Sequence, residues 1–285
     1  MIQMNNKQTR VSAIHDISCF GKCSLTVVLP ILSAAGIETS VIPTAVLSTH
    51  TGGFKNFTFR DLTNDILPVA NHWKANNIQV DCVYTGYLGS KEQISIVSET
   101  ADLIKSQNGF LLVDPVMADN GVLYGGFVPD FPMEMKKLCQ KADIITPNIT
   151  EAVLMLNKEY IPGPYTNDYI ENLLTELYKM AGCSVVLTGV YFDNDKIGAA
   201  CYDGNKIFYS LEDKVNCLFH GTGDVFSSAL LAGLLNNQDI KSAMETAVKY
   251  TRECIDYTFK NREYMRYGVA FEECIPYLLK LLNKI

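Results

Sequence analysis

Gly221-Thr222-Gly223-Asp224 opens a stripe of apolar residues at helical spacing, formed by Val225, Phe226, Ala229, Leu230 and Leu234. The two glycines permit a tight turn and leave backbone amides bare. The helix that begins there turns its positive dipole end to the same spot. Such a terminus is an anion hole, and it is not a Walker A loop, because no Gly-Lys-Ser/Thr follows. An acid beside it repels a phosphate that merely binds. The pairing makes chemical sense when Asp224 takes a proton from an attacking hydroxyl while the amides of Gly221, Thr222 and Gly223 stabilise a phosphoryl group in transfer. Taken alone, the same string also reads as a turn with Asp224 capping a helix.

Three further groups lie at the ends of apolar runs. Asn148 and Glu151, in Asn148-Ile149-Thr150-Glu151, are three apart and share a helix face. Their oxygens suit Mg²⁺ or its water shell, and the same spacing also reads as a capping box. Asp114, in Asp114-Pro115-Val116-Met117, ends a strand-like run where a carboxylate can help manage Mg²⁺–phosphate charge or start a turn. Two loops can enclose a small organic molecule: His15–Gly21, which carries Asp16, and Leu47–Gly53, which carries His50 and Thr51. Tyr87, in Gly86-Tyr87-Leu88-Gly89, offers an aromatic wall. His72 reads as a surface residue, and His220, next to Gly221, is open between a site and a structural role.

Positioning these residues requires an α/β scaffold. Strands are expected at Val11–Ile17, Thr39–Leu47, Asp81–Tyr87, Phe110–Asp114, Asp143–Thr146 and Ser184–Thr188. Between and after them, helical periodicity predicts Leu25–Gly36 (with Pro30 inside, as a kink), Asp61–Asn76, Lys91–Gln107, Met133–Lys141, Asp168–Ala181, Gly223–Leu235, Ile240–Tyr257 and Phe271–Leu282. Asp203-Gly204, between Gly198–Tyr202 and Lys206–Ser210, is a hairpin signal. Repeated βα units imply a mostly parallel sheet with helices on both faces, and ligands there collect beyond the carboxyl ends of the strands. Thr51–Phe57 and Met117–Pro132 are the long glycine-rich loops at that end.

The 285 residues, 48% hydrophobic and 19% charged, are globular in composition. A net charge of −7 argues against partners bound through a broad basic face, which excludes nucleic acid and anionic membrane surfaces. Apolar runs fall short of the ~20 residues of a membrane span, and the polar start, Met1 to Arg10, carries no signal-peptide pattern. Nine cysteines without a Cys-x-x-Cys or zinc spacing read as reduced thiols in a cytoplasm.

Taken together and in this order, the segments resemble the pyridoxal (vitamin B6) kinases of the ribokinase-like superfamily, from about Val11 to Tyr257. The matching stretches are Ser48-Thr49-His50-Thr51-Gly52, Thr85-Gly86-Tyr87-Leu88-Gly89-Ser90, Asp114–Met117, Asp143–Asn148 with Glu151, and Gly221–Asp224. The resemblance implies a three-layer α/β/α fold, with a polar leader at residues 1–10 and a single kinase domain at 11–285. It implies ATP-dependent phosphorylation of the 5′-hydroxymethyl group of a B6 vitamer, with Mg²⁺ and room for a monovalent cation such as K⁺, in a cytoplasmic homodimer. Asp224 would be the general base, with Gly221, Thr222 and Gly223 as the anion hole. Asp114, Asn148 and Glu151 would organise Mg²⁺ and the ATP phosphates, with Asp119, Tyr124 and Thr188 also at the nucleotide. Asp16, His50, Thr51 and Tyr87 would line the pyridine pocket. Asp16 departs from the pattern, standing where many pyridoxal kinases carry Ser. Hydroxymethylpyrimidine kinase, a ribokinase-type sugar kinase and a non-catalytic vitamin or nucleotide sensor are the competing expectations.

Overall fold

Strands whose side chains are buried on both faces need helices above and below, and the chain supplies them in alternation. The computed structural model describes residues 8–261 and 267–285. In chain order the strands are β1 (Arg10–Ser18), β2 (Glu38–Leu47), β3 (Phe59–Asp61), β4 (Val80–Thr85), β5 (Lys105–Val113), β6 (Ala118–Asp119), β7 (Val122–Leu123), β8 (Ile144–Ile145), β9 (Ser184–Val190), β10 (Lys196–Tyr202) and β11 (Ile207–Asp213). The helices are α1 (Leu25–Ala34), α2 (Thr63–Ala75), α3 (Lys91–Ile104), α4 (Phe131–Cys139), α5 (Ile149–Met155), α6 (Asn167–Ala181), α7 (Thr222–Leu235), α8 (Ile240–Asn261) and α9 (Phe271–Leu281).

Among the described residues a nine-stranded sheet runs in the order β11-β10-β9-β8-β5-β4-β1-β2-β3. Its centre is parallel, and β3, β10 and β11 join antiparallel. One core packs α2 to α6 against one face, through Ile66, Ile94, Met135, Val153 and Leu174. The other packs α1, α7, α8 and α9 against the opposite face, through Val28, Leu230, Ala247 and Leu278. This is the three-layer α/β/α arrangement expected from the alternation. β1 sits between β2 and β4, from which the chain proceeds in opposite directions, so the crevice beyond β1 and β4 is the topological switch point.

Several boundaries differ from the periodicity. The helix expected from Asp61 begins at Thr63, because Phe59–Asp61 pairs antiparallel with the end of β2. The helix expected to reach Gln107 ends at Ile104, where Lys105 enters the register of Val80 on β4. The helix α1 continues through Pro30 to Ala34. The Met117–Pro132 loop contains the small β6–β7 hairpin, turned by Asn120 and Gly121 at φ 50° and 79°. Asn-Gly is a type I′ turn signal that the sequence carries in plain view. All nine cysteines are free thiols, and no helix of the described residues is long and apolar enough to cross a membrane. Residues 1–7 of the polar segment expected ahead of the domain lie outside the described residues.

Candidate active site

The stretch expected to form an anion hole lies where α7 begins. Gly221 is its N-cap at φ 78°, and no side chain caps the helix. The opening amides of a helix have no acceptor within it, so those of Thr222, Gly223 and Asp224 are available to an anion. Glycine is required at 221 twice over, since a Cβ there would stand 1.9 Å from the Lys22 carbonyl oxygen. That close approach brings the β1–α1 loop against the start of α7. At Gly223, which is exposed, no atom lies within 4 Å of a Cβ position, so the amide face there is open.

Asp224, at the third position of α7, reaches across to the loop. Its Oδ2 accepts a hydrogen bond of 2.9 Å from the backbone N–H of Ser24. Burial, aided by the charge of Asp16 and opposed by the Ser24 bond, pushes its pKa up to about 7. That value suits a base working near neutrality. Asp16, 4% exposed at the end of β1, takes hydroxyl hydrogen bonds on both oxygens, from Ser24 and Ser18. Burial raises its pKa while those two bonds hold it down. Tyr87 lies close enough that burial and the Asp16 charge raise its hydroxyl pKa, and its ring packs 5.5 Å from Phe127.

On the other side of the crevice, Asp114 follows β5 and accepts a 2.9 Å hydrogen bond from Ser227, one turn beyond Asp224 on α7. Thr146 bonds the same serine. Burial and then the Asp224 charge raise the Asp114 pKa. Glu151 is buried as well, and burial and Asp114 raise its pKa far above the usual carboxylate range. Asn148 and Glu151 form a complete capping box on α5: Asn148 Oδ1 accepts from Glu151 N, and Glu151 Oε2 accepts from Asn148 N, both at 2.9 Å. The remaining groups are also engaged, Glu151 Oε1 by Met117 N and Asn148 Nδ2 by the Ala118 carbonyl. The capping reading of this motif therefore holds, in a buried carboxyl group whose ionisation burial and Asp114 oppose.

Thr188 sits beside Asn148 across an isolated parallel bridge. The β6–β7 hairpin carries Asp119, and Tyr124 follows it. Burial raises the Tyr124 hydroxyl pKa, and so does the field of Glu151, Asp119, Asp114 and Asp224. His50 is buried with its ring 5.4 Å from that of His220, and burial together with His220 lowers its pKa to about 4. It also fills the space beside Gly21. Thr51 is exposed on its loop, and His72 is exposed on α2. All the expected site residues thus lie at one end of the sheet, and Thr51 has the weakest connection to the rest.

The residues missed at sequence level are Ser24, Ser227 and Thr146. Ser227 was legible in principle, since it lies one helical turn from Asp224 on the same face. Nothing near Ser24 in the chain marks it.

Three carboxylates, Asp114, Glu151 and Asp224, have raised pKa values beside an open helix N-terminus, chiefly through burial, with the Asp224 charge acting on Asp114 and the Asp114 charge on Glu151. That arrangement fits a polyanion brought in with a divalent cation. Among the described residues no group of three or more His, Cys, Asp or Glu converges into a metal cage. The buried carboxyl oxygens of Asp114 and Glu151 have the hard-donor chemistry that suits Mg²⁺, an ion that usually keeps several waters and binds phosphate oxygens.

Fold and site together define an α/β phosphotransferase of the ribokinase-like superfamily. The phosphomethylpyrimidine kinase family model matches residues 29–267, and the chain belongs to that family. A crystal structure of a Bacteroides thetaiotaomicron protein assigned as a phosphomethylpyrimidine kinase, in a form with pyridoxal, superposes with a TM-score of 0.90. That protein is 35% identical, with 95% of this chain and 96% of the other covered. Pyridoxal kinase from Lactobacillus plantarum gives a TM-score of 0.88 at 29% identity, covering 96% and 98% of the two chains. Pyridoxal kinase of Bos taurus is 28% identical over 253 residues, 80% of this chain and 78% of that protein.

Proposed function

We propose that the chain is an ATP-dependent kinase that phosphorylates the 5′-hydroxymethyl group of a vitamin B6 vitamer. The carrying observation is Asp224, raised to a pKa of about 7 and set at the mouth of an uncapped helix N-terminus. The similarity to pyridoxal kinases and to a relative crystallised with pyridoxal supports the choice of substrate.

In this reading the vitamer lies between Asp16 and Tyr87, with His50 and Thr51 along its edge. Asp224 accepts the proton of the hydroxymethyl group as its oxygen attacks the terminal phosphorus of ATP. The amides of Gly221, Thr222 and Gly223 bind the equatorial oxygens of the group in transfer, where negative charge concentrates. Asp114, Asn148 and Glu151, with Thr188, Asp119 and Tyr124 around them, hold the nucleotide end. Asp114, Asn148 and Glu151 would hold Mg²⁺ through its water shell, and the ion would supply charge neutralisation for the phosphates. Ser227 and Thr146 support Asp114. The expected leader of residues 1–10 is shorter by at least Arg10, which opens β1, and in this reading the chain from there acts as one kinase domain, which we assign to the cytoplasm as a homodimer.

The second reading is a hydroxymethylpyrimidine kinase, favoured by the family match and by the buried carboxylate of Asp16, which can also serve an aminopyrimidine. An ADP-release assay with pyridoxal, pyridoxamine, pyridoxine and hydroxymethylpyrimidine separates the two. The B6 reading requires the highest kcat/KM on one of the three vitamers, and a preference for the pyrimidine overturns it. Among the vitamers Asp16 should favour pyridoxamine, whose ammonium it can bind, over pyridoxal, by about 10- to 150-fold. Asp16→Ser should shrink that ratio, and an unmoved ratio removes the selectivity role.

A further inference from the structure

Ser24 takes no part in the proton transfer, yet it touches two of the carboxylates placed at the substrate. Its hydroxyl donates to Asp16 Oδ1, and its backbone N–H donates to Asp224 Oδ2, 200 positions away in the chain. It does so from a backbone conformation of φ 55° and ψ −134°. This is the mirror image of extended backbone, which glycine adopts readily and a Cβ opposes. Ser24 is also the N-cap of α1, where a serine ordinarily spends its oxygen on the helix amides. Here it caps nothing, and the hydroxyl is committed to Asp16 instead.

We propose that Ser24 is a positioning residue that fixes the catalytic base relative to the substrate-side carboxylate. The bond to Asp16 anchors the side chain and keeps the strained backbone in place. The amide therefore stays aimed at Asp224. With Oδ2 held by that amide, Oδ1 is the oxygen left to accept the substrate proton. The same anchor fixes the rotamer of Asp16, so rate and vitamer affinity share one residue.

Alanine and glycine at position 24 separate the two contributions. Ser24→Ala loses the anchor and keeps the opposing Cβ, so the backbone relaxes and the amide leaves Asp224. Ser24→Gly loses the anchor but holds the conformation without strain. We expect kcat to fall at least about tenfold in Ser24→Ala and to be about tenfold higher in Ser24→Gly than in Ser24→Ala. The KM for pyridoxal should rise about three- to tenfold in both, and the KM for ATP should move less than about twofold. Equal kcat in the two variants, or an unmoved KM for pyridoxal in both, overturns the proposal. A residue that served stability alone would move kcat with Tm and leave the split between the two KM values untouched.

Should Ser24→Ala not fold, Asp16→Ala removes the same anchor from the other end. Adding Ser24→Gly to it must then raise kcat, and a double variant no faster than Asp16→Ala overturns the proposal. The inference rests on Asp224 being the base, so Asp224→Asn is measured in parallel. Retained turnover in that variant removes the base assignment itself. An inactive Asp224→Asn beside equal Ser24 variants removes only the positioning role.

Discussion

Two helices, α5 and α7, point their N-termini into the same crevice, and each carries an acid at its third residue. In α5 that acid, Glu151, folds back on the N-cap and closes a box with Asn148. In α7 the equivalent acid, Asp224, turns away and bonds Ser24 on another element. The difference begins with the N-cap. Asn148 has a side chain that accepts the third amide, whereas Gly221 has none, and the Lys22 carbonyl leaves no room for one. One terminus therefore satisfies itself. The other stays open and offers amides to an anion and a carboxylate to a proton.

The contrast is sharpest at the two acids. Asp224→Asn should lower kcat by roughly 10²–10⁴-fold with nucleotide binding nearly intact, read by steady-state kinetics beside ADP binding. The wild-type rate should fall about tenfold per pH unit below about 7, because only the ionised carboxylate accepts a proton. That acidic limb should vanish with the residue. Near-normal turnover in Asp224→Asn would make the two termini equivalent and break the comparison.

Next in size is the open amide face. A Cβ at Gly223 would meet no neighbouring group within 4 Å, so the fold should tolerate Gly223→Val. The side chain should obstruct the phosphate, with kcat/KM for ATP down on the order of 10²-fold and Tm nearly unchanged. Preserved kinetics would place the phosphoryl group elsewhere.

The self-satisfied terminus should respond differently. Glu151→Gln should raise the Mg²⁺ concentration needed for half-maximal rate by about tenfold, and more than it raises the KM for the vitamer. A metal titration that does not move would leave Glu151 with capping alone. The smallest effect belongs to the cap. Asn148→Ala should cost about 1 kcal/mol of unfolding free energy, a fall of roughly 2–4 °C in Tm that calorimetry resolves. A variant as stable as the parent would mean the box contributes nothing.

Stability and pH follow from the same acids. The folded pKa values of Asp224 and Asp114 lie above the ordinary carboxylate value. The folded protein therefore binds more protons than the unfolded chain in that window. Their contribution is complete below the unfolded value and is lost as pH rises through the folded ones, so the price of ionised acids at neutrality falls on the ligand-free protein.

Much of this was legible in residue types and spacing. Local patterns set the alternation of strands and helices, since a side-chain period of 2 or 3.6 depends only on neighbours. The Gly-Thr-Gly-Asp turn, Asn148 with Glu151, Asp114 after its strand and the Asn120-Gly121 turn are likewise written within a few residues. Spacing left open which acid caps and which catalyses, because an acid at the third helical position is compatible with both. Packing separates the two acids, through a carbonyl at Lys22 that excludes any side chain at Gly221 and an amide at Ser24 that holds Asp224, and the base role proposed for Asp224 rests on that difference. Ser24 itself left no local trace, since its left-handed backbone is maintained by partners eight and 200 positions away and not by its own sequence preference. Tertiary contact is the only agent that can hold a residue against its local preference, so such a residue is visible only in the folded structure.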